Sequence, residues 1–213
     1  MTASAKPVRR VRDAEATRRR VLDSATAEFA RLGFAGARVA AIATRAKANK
    51  QLLYHYFGSK DDLYLAVLER AYGEIREAES RLAVEHLAPV DALKALVEFT
   101  WNYYLNNPEF LTLVNNENLQ RAVHLRRSKV IEELHGPFRA RLAAILARGM
   151  REGVFRRGVS ADQLNLTIAA VGYYYLTNRH TNTIIYQTDL MAPPALARRL
   201  AFNVETVLRM AMK

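Results

Sequence analysis

The sequence predicts an all-α fold. Prolines occur only at Pro7, Pro89, Pro108, Pro137 and the pair Pro193-Pro194, and there are nine glycines in 213 residues, so long stretches run without a helix breaker. Within them apolar residues recur at three- and four-residue spacing. No alternating apolar and polar run bounded by Asn-Gly or Asp-Gly supports a strand.

The first helix is expected from about Arg12 to Leu32, with Val21, Leu22, Ala25, Phe29 and Leu32 on one stripe and Gly33 placed to end it. Val39, Ile42, Ala43 and Ala46 define a short second helix, and a tight turn through Lys47-Ala48 leads to Asn49, an N-cap for a third, Lys50–Phe57, closed by Gly58. Ser59 with Asp61 and Asp62 opens a fourth helix, expected to reach about Glu85. The remainder divides into Val90–Asn106, Glu109–Asn118, Leu119–His135, Pro137–Gly153, Ser160–Tyr186 and Pro194–Met212, with a capping box at Ser160-Ala161-Asp162-Gln163. Residues 1–12 are expected to be a mobile basic arm, 13–80 one domain and 81–213 a second.

Charge is uneven along the chain. Residues 1–60 carry 13 Lys+Arg and 4 Asp+Glu, a net +9, whereas the whole chain is +11. A polyanion partner for this segment follows, with nucleic acid favoured over an acidic membrane because no exposed apolar stripe accompanies the charge. Two helices of about eight residues joined by a short turn inside this basic region form a helix-turn-helix. If Leu53 and Phe57 face the core, Gln51, Leu52, Tyr54 and His55 project outward, with Lys50 in the first turn. Gln51 suits the donor–acceptor edge of adenine and Leu52 a thymine methyl, while Tyr54, His55 and Tyr56 suit phosphate oxygens. Arg38 and Lys60 flank the element as further phosphate ligands. Arg9, Arg10 and Arg12 are placed to reach a minor groove. Arg18, Arg19 and Arg20 divide evenly between backbone contact and plain solvation.

The residues Leu32-Gly33-Phe34, Ile42-Ala43 and the run Lys50-Gln51-Leu52-Leu53-Tyr54-His55-Tyr56-Phe57-Gly58-Ser59-Lys60-Asp61-Asp62-Leu63 resemble the DNA-binding domain of TetR-family regulators over about residues 17–77. The resemblance implies a homodimeric repressor on a double-stranded DNA operator. It also implies an N-terminal three-helix helix-turn-helix domain joined by a long helix to a C-terminal helical ligand-binding and dimerisation bundle. Three positions depart from the family pattern: Ala37-Arg38 replaces a Ser or Thr cap, Lys47 a turn glycine, and Leu52 a polar residue. The operator therefore does not carry over from relatives.

In the C-terminal part, Trp101, Tyr104, Asn115, Tyr174 and Asn178 are the candidate effector contacts, set against the plainer reading of core and interface aromatics. Glu117 is read as a cap for the following helix. The stripes Leu164, Ile168, Val171 and Leu200, Val204, Val207, Leu208 suit a two-fold four-helix interface. The five histidines lack ligand spacing, so no metal is expected, and no cofactor either. The chain has no cysteine, which excludes disulfides and thiolate chemistry. No nucleophile with a base, carboxylate pair or phosphate-cradling loop marks an enzyme. With no long apolar segment or signal sequence, a cytoplasmic, ligand-responsive transcription regulator is expected. The alternative is a sequence-independent nucleic-acid binder without an effector.

Overall fold

The computed structural model describes residues 6–213, with side chains from Asp13 onward. It is helical: α1 Lys6–Gly36, α2 Val39–Arg45, α3 Lys50–Phe57, α4 Lys60–Ser80, α5 Pro89–Asn106, α6 Pro108–Leu119, α7 Ile131–Arg151, α8 Ala161–Thr177, α9 Arg179–Tyr186 and α10 Pro193–Ala211, with one 3-10 turn at Leu125–Arg127. Among the described residues the only extended pairing is an isolated bridge between Phe155 and Met212. No helix there is long and apolar enough to cross a membrane.

The chain forms two compact units. One comprises the chain up to Ala71 with Thr112–Lys129, the other Tyr72–Leu111 with Val130–Lys213. The division falls within α4 rather than after residue 80, and a later segment joins the first unit. Polar contacts explain the second difference: the Glu117 carboxylate accepts the backbone N–H groups of His124 and Leu125 at 2.8 and 2.9 Å and touches His124 Nδ1 at 2.9 Å. The buried His124 ring in turn packs on Phe34 and Tyr64, centroids 4.5 and 4.7 Å away. Arg127 pairs with Asp62, and the Ser128 hydroxyl donates to Glu69.

Several element boundaries differ from expectation for local reasons. The first helix begins at Lys6, so within the expected arm residues 6–12 are helical; Pro7 is tolerated in a first turn and the following residues are good helix formers. Residues 1–5, and the side chains of Arg9, Arg10 and Arg12, lie outside the described part. Gly33 breaks α1 at φ 67°, ψ 177°, a conformation that favours glycine. The fourth helix stops at Ser80, where Arg141 donates to the carbonyls of Glu79 and Ser80. The expected helix Leu119–His135 does not form. Arg121 and Ala122 adopt positive φ, Glu117 caps the 3-10 turn, and α7 then runs straight through Pro137. The long Ser160–Tyr186 helix is broken at Asn178 into α8 and α9.

In the second unit the core gathers Leu93, Leu96 and Val97 of α5, Phe138, Leu142, Ile145 and Leu146 of α7, Leu164 and Ile168 of α8, and Val207 and Ala211 of α10. The stripe residues Leu164, Ile168 and Val207 are therefore interior to one chain, and no interface can be built on them. Phe155 closes the core by lying against the bare backbone of Gly149, where an added Cβ would sit 2.1 Å from the ring. Overpacking of this kind costs about 1–3 kcal/mol. Gly149→Ala should lower the melting temperature by several degrees in a circular-dichroism melt, and an unchanged melt would mean that Phe155 moves freely.

Candidate nucleic-acid interface

The interface is built on a helix too short to stand alone. Asn49 caps it as expected, its side chain accepting the Leu52 N–H at 2.7 Å, and Gly58 ends it at φ 82°. Leu53 and Phe57, one turn apart, are 1% and 9% exposed and pack inward. That burial fixes the rotation of α3. Gln51, Tyr54, His55 and Lys50 are consequently exposed, Tyr54 by 47%, with Leu52 and Tyr56 half-buried beside them.

Neighbouring elements hold α3 in place. Glu28 of α1, buried and at 3.1 Å from Arg31 and 3.4 Å from Arg45 of α2, ties the first two helices together. Burial pushes its carboxyl up, but the hydrogen bond and charge of Arg31, the Arg38 backbone N–H and the Arg45 charge outweigh this, so it stays below the usual range. Arg18 lies over the Phe57 ring at 5.3 Å, and Arg20 donates to the Ala46 carbonyl at the end of α2. Two residues of the expected basic run thus have structural partners, while all three remain exposed. Arg38 opens α2 in extended conformation without a side-chain cap.

Lys60, the first residue of α4, stands over Phe34 at 4.8 Å. The α4 terminus is already capped: Asp62 donates its N–H to Ser59 and accepts the Ser59 hydroxyl at 2.6 Å. Hydrogen bonds from Ser59 and Arg127 hold the Asp62 carboxyl below its ordinary value despite some desolvation. Lys60 therefore offers the positive charge at that corner. In the turn, Lys47 adopts φ 53°, the left-handed region where glycine is at ease. Strain of this kind costs roughly 1 kcal/mol. Lys47→Gly should raise the thermal midpoint by a few degrees, and a lower midpoint would show that the Lys47 side chain contributes more than its backbone costs.

The candidate effector residues separate. Trp101 and Tyr104 of α5 are buried together against Gly172 of α8, where an added Cβ would come within 3.4 Å of Tyr104 and 3.7 Å of Trp101. Their ring partners are Tyr175 and Phe110. Tyr174 is 60% exposed, and Asn178 closes α8 by donating to the Tyr174 carbonyl. Asn115 is an exposed residue in the part of α6 that belongs to the first unit. Only Trp101 and Tyr104 of the five are neighbours.

A polar cluster not anticipated from the sequence lies nearby in the second unit. Glu79, 2% exposed, is 2.7 Å from Arg76 and 4.0 Å from Arg141. Burial pushes its carboxyl up to about 7, against the opposing charges of Arg76 and Arg141. Burial likewise takes the Tyr103 and Tyr104 hydroxyls to about 12, and the same effect with the Arg76 charge holds His135 down. The signal was available: Glu79 continues the buried stripe Leu68, Ala71, Ile75 at a position where an apolar residue belongs. A raised carboxyl pKa gives stability that is full below the unfolded value and lost as pH rises through about 7. The melting difference between Glu79→Gln and the parent should therefore shift in favour of the variant from roughly pH 5 to 8. A pH-independent difference would mean that Glu79 is ionised throughout.

Comparison with known proteins places these features. Residues 21–67 match the family model for bacterial regulatory proteins of the tetR family, and residues 89–207 match that for the tetracycline repressor-like C-terminal domain. The chain is 37% identical over 200 residues to the HTH-type transcriptional repressor NicS of Pseudomonas putida, covering 94% of each chain. It is 32% identical over 160 residues to the HTH-type transcriptional repressor SCO4008 of Streptomyces coelicolor, covering 75% of this chain and 78% of that protein. In fold it is similar to a TetR transcriptional regulator from Chloroflexus aurantiacus, with a TM-score of 0.69 at 22% identity over 94% of this chain and 98% of the other.

Proposed function

The chain belongs to the TetR family of bacterial regulatory proteins and is a DNA-binding transcriptional regulator rather than an enzyme; from that premise we propose a cytoplasmic repressor that binds a palindromic operator as a homodimer and is released by a small molecule held in the C-terminal unit. The observation that carries the DNA half is the rotation of α3. Leu53 and Phe57 are inward, and Gln51, Tyr54 and His55 outward beside Lys50, Arg38 and Lys60. Such a face fits a major groove, with Gln51 and Leu52 toward bases and the remaining residues toward phosphates. Outward-facing chemistry at Gln51 and Leu52 supports specific reading over backbone-only binding.

Dimerisation is a property of the family, and the exposed apolar side chains of α8 and α10 are its natural seat. Leu166 and Tyr174 on α8 and Phe202 on α10 are each about 60% exposed in the single chain, an unusual display of large apolar groups. Pairing two copies through these helices gives an isologous contact and a two-fold arrangement of the α3 helices. An effector shifts this assembly only by binding one of its conformations more tightly, so operator DNA weakens effector binding by the same factor.

The experiment is selection of binding sites from a randomised duplex pool, followed by anisotropy titrations at two salt concentrations. A palindromic winner bound about a thousandfold or more above scrambled DNA is expected. Equal, steeply salt-dependent affinity for both would leave only backbone binding. On the selected site, Gln51→Ala should relax preference at one or two base pairs, at about 1–3 kcal/mol, while Tyr54→Ala and Lys60→Ala should weaken binding to all sequences alike. The same loss of discrimination in all three variants would contradict these roles.

A further inference from the structure

Within the second unit, α4 and α7 enclose a cavity of about 320 Å³ lined by Arg76 and Glu79 on one side and by Leu134, Pro137 and Phe138 on the other. This is the lower end of the size range of small-molecule pockets. Its polar wall is unusual. Glu79 is almost wholly buried, yet its Oε2, although 2.7 Å from Arg76, is out of hydrogen-bonding alignment, and no group accepts from the buried Arg76 Nε. Buried carboxylates and guanidinium groups normally have their hydrogen bonds met. The wall thus carries an unused acceptor and an unused donor side by side.

The rest of the lining decides what fits. Arg76 lies over the Phe138 ring at 4.5 Å, so the apolar side is flat and aromatic. Pro137 has no N–H and cannot bond the Glu133 carbonyl one turn back, which leaves another acceptor in the wall. An anion is disfavoured, because Glu77 and Glu133 also line the cavity. Arg141 is already engaged by the Glu79 and Ser80 carbonyls and by Glu85 at 3.1 Å. The Arg76–Glu79 pair is self-neutralising, and a net charge added beside it would be buried without a partner.

We infer that this cavity is the effector site and that it takes a small, planar, uncharged molecule with a hydrogen-bond donor next to an acceptor, as on the amide edge of a lactam or hydroxylated heteroaromatic ring. The donor meets Glu79, the acceptor meets Arg76 Nε, and the ring lies against Phe138. This rests on the effector-released repressor proposed above but makes a separate claim about ligand chemistry.

The test is calorimetric and NMR titration of the full-length protein with three probes: 2-pyridone, which has the paired edge; N-methyl-2-pyridone, which lacks the donor; and benzoate, an anion of similar size. Saturable binding of 2-pyridone is expected at concentrations up to about 10 mM, where a fragment of ordinary efficiency registers. Glu79→Gln should weaken it about tenfold, as should loss of the donor in the N-methyl probe. Leu134→Trp, which fills the cavity from a half-buried position and spares the charged pair, should abolish it, with circular dichroism confirming that both variants fold. No saturable binding of 2-pyridone, equal or tighter binding of either control probe, or binding indifferent to both variants would overturn the inference. The selected operator separates this result from the broader proposal. Binding of 2-pyridone that leaves operator affinity unchanged would remove the release mechanism and keep the ligand assignment. Specific operator binding without any pyridone binding would do the reverse.

Discussion

The rotation of one eight-residue helix is the constraint on which the DNA-binding surface depends. So short a helix is unstable by itself, and α3 persists because Leu53 and Phe57 are buried, each burial contributing about 1.5–3 kcal/mol. Helical geometry then leaves no freedom elsewhere. Once positions 53 and 57 face inward, 51, 54 and 55 face outward. The Asn49 cap sets where the helix starts, and Arg18 over Phe57 covers the inward side. Glu28 adds a charged tie between α1 and α2 that costs desolvation and is held by two arginines and a backbone N–H.

The same economy of buried charge shapes the rest of the chain. Glu117 organises the loop after α6 by accepting two backbone N–H groups and the His124 ring, which is how a segment distant in sequence becomes part of the first unit. Glu79 and Arg76 differ from it. Their pairing leaves hydrogen-bonding capacity unmet in a lined cavity, the pattern expected where a protein interior is arranged for something besides its own stability. The α4 helix begins at Lys60 in the first unit and ends beside Glu79 in the second, so one continuous element carries residues of both proposed sites.

Much of the recognition surface was legible in the sequence because its signals are local. The Asn49 cap, Gly58 stop and three-to-four-residue apolar spacing need only neighbouring residues to operate, and α3 has the expected bounds. Lys47 shows the cost of its departure as a positive φ. Signals fail where partners are distant. The break at Arg121-Ala122 follows from what Glu117 captures several residues later, and Leu164, Ile168 and Val207 form a stripe that suits a core and an interface equally well. The effector candidates were chosen by residue type, whereas Trp101 and Tyr104 meet through the absence of a side chain at Gly172. Glu28 and Glu79 each interrupt a buried stripe, a pattern that periodicity counts as a defect unless the interruption is itself taken as information.

The central claim is that two copies of α3, held at a fixed separation by one dimer, read two half-sites on the same face of the duplex. Affinity measured against operators whose half-sites are moved apart one base pair at a time tests it directly. The account predicts a maximum at a centre-to-centre separation of about 34–36 Å or a multiple of it, and a steep loss when about half a helical turn is inserted. Affinity indifferent to spacing would contradict it, since independent, unpaired α3 helices would then be sufficient for binding.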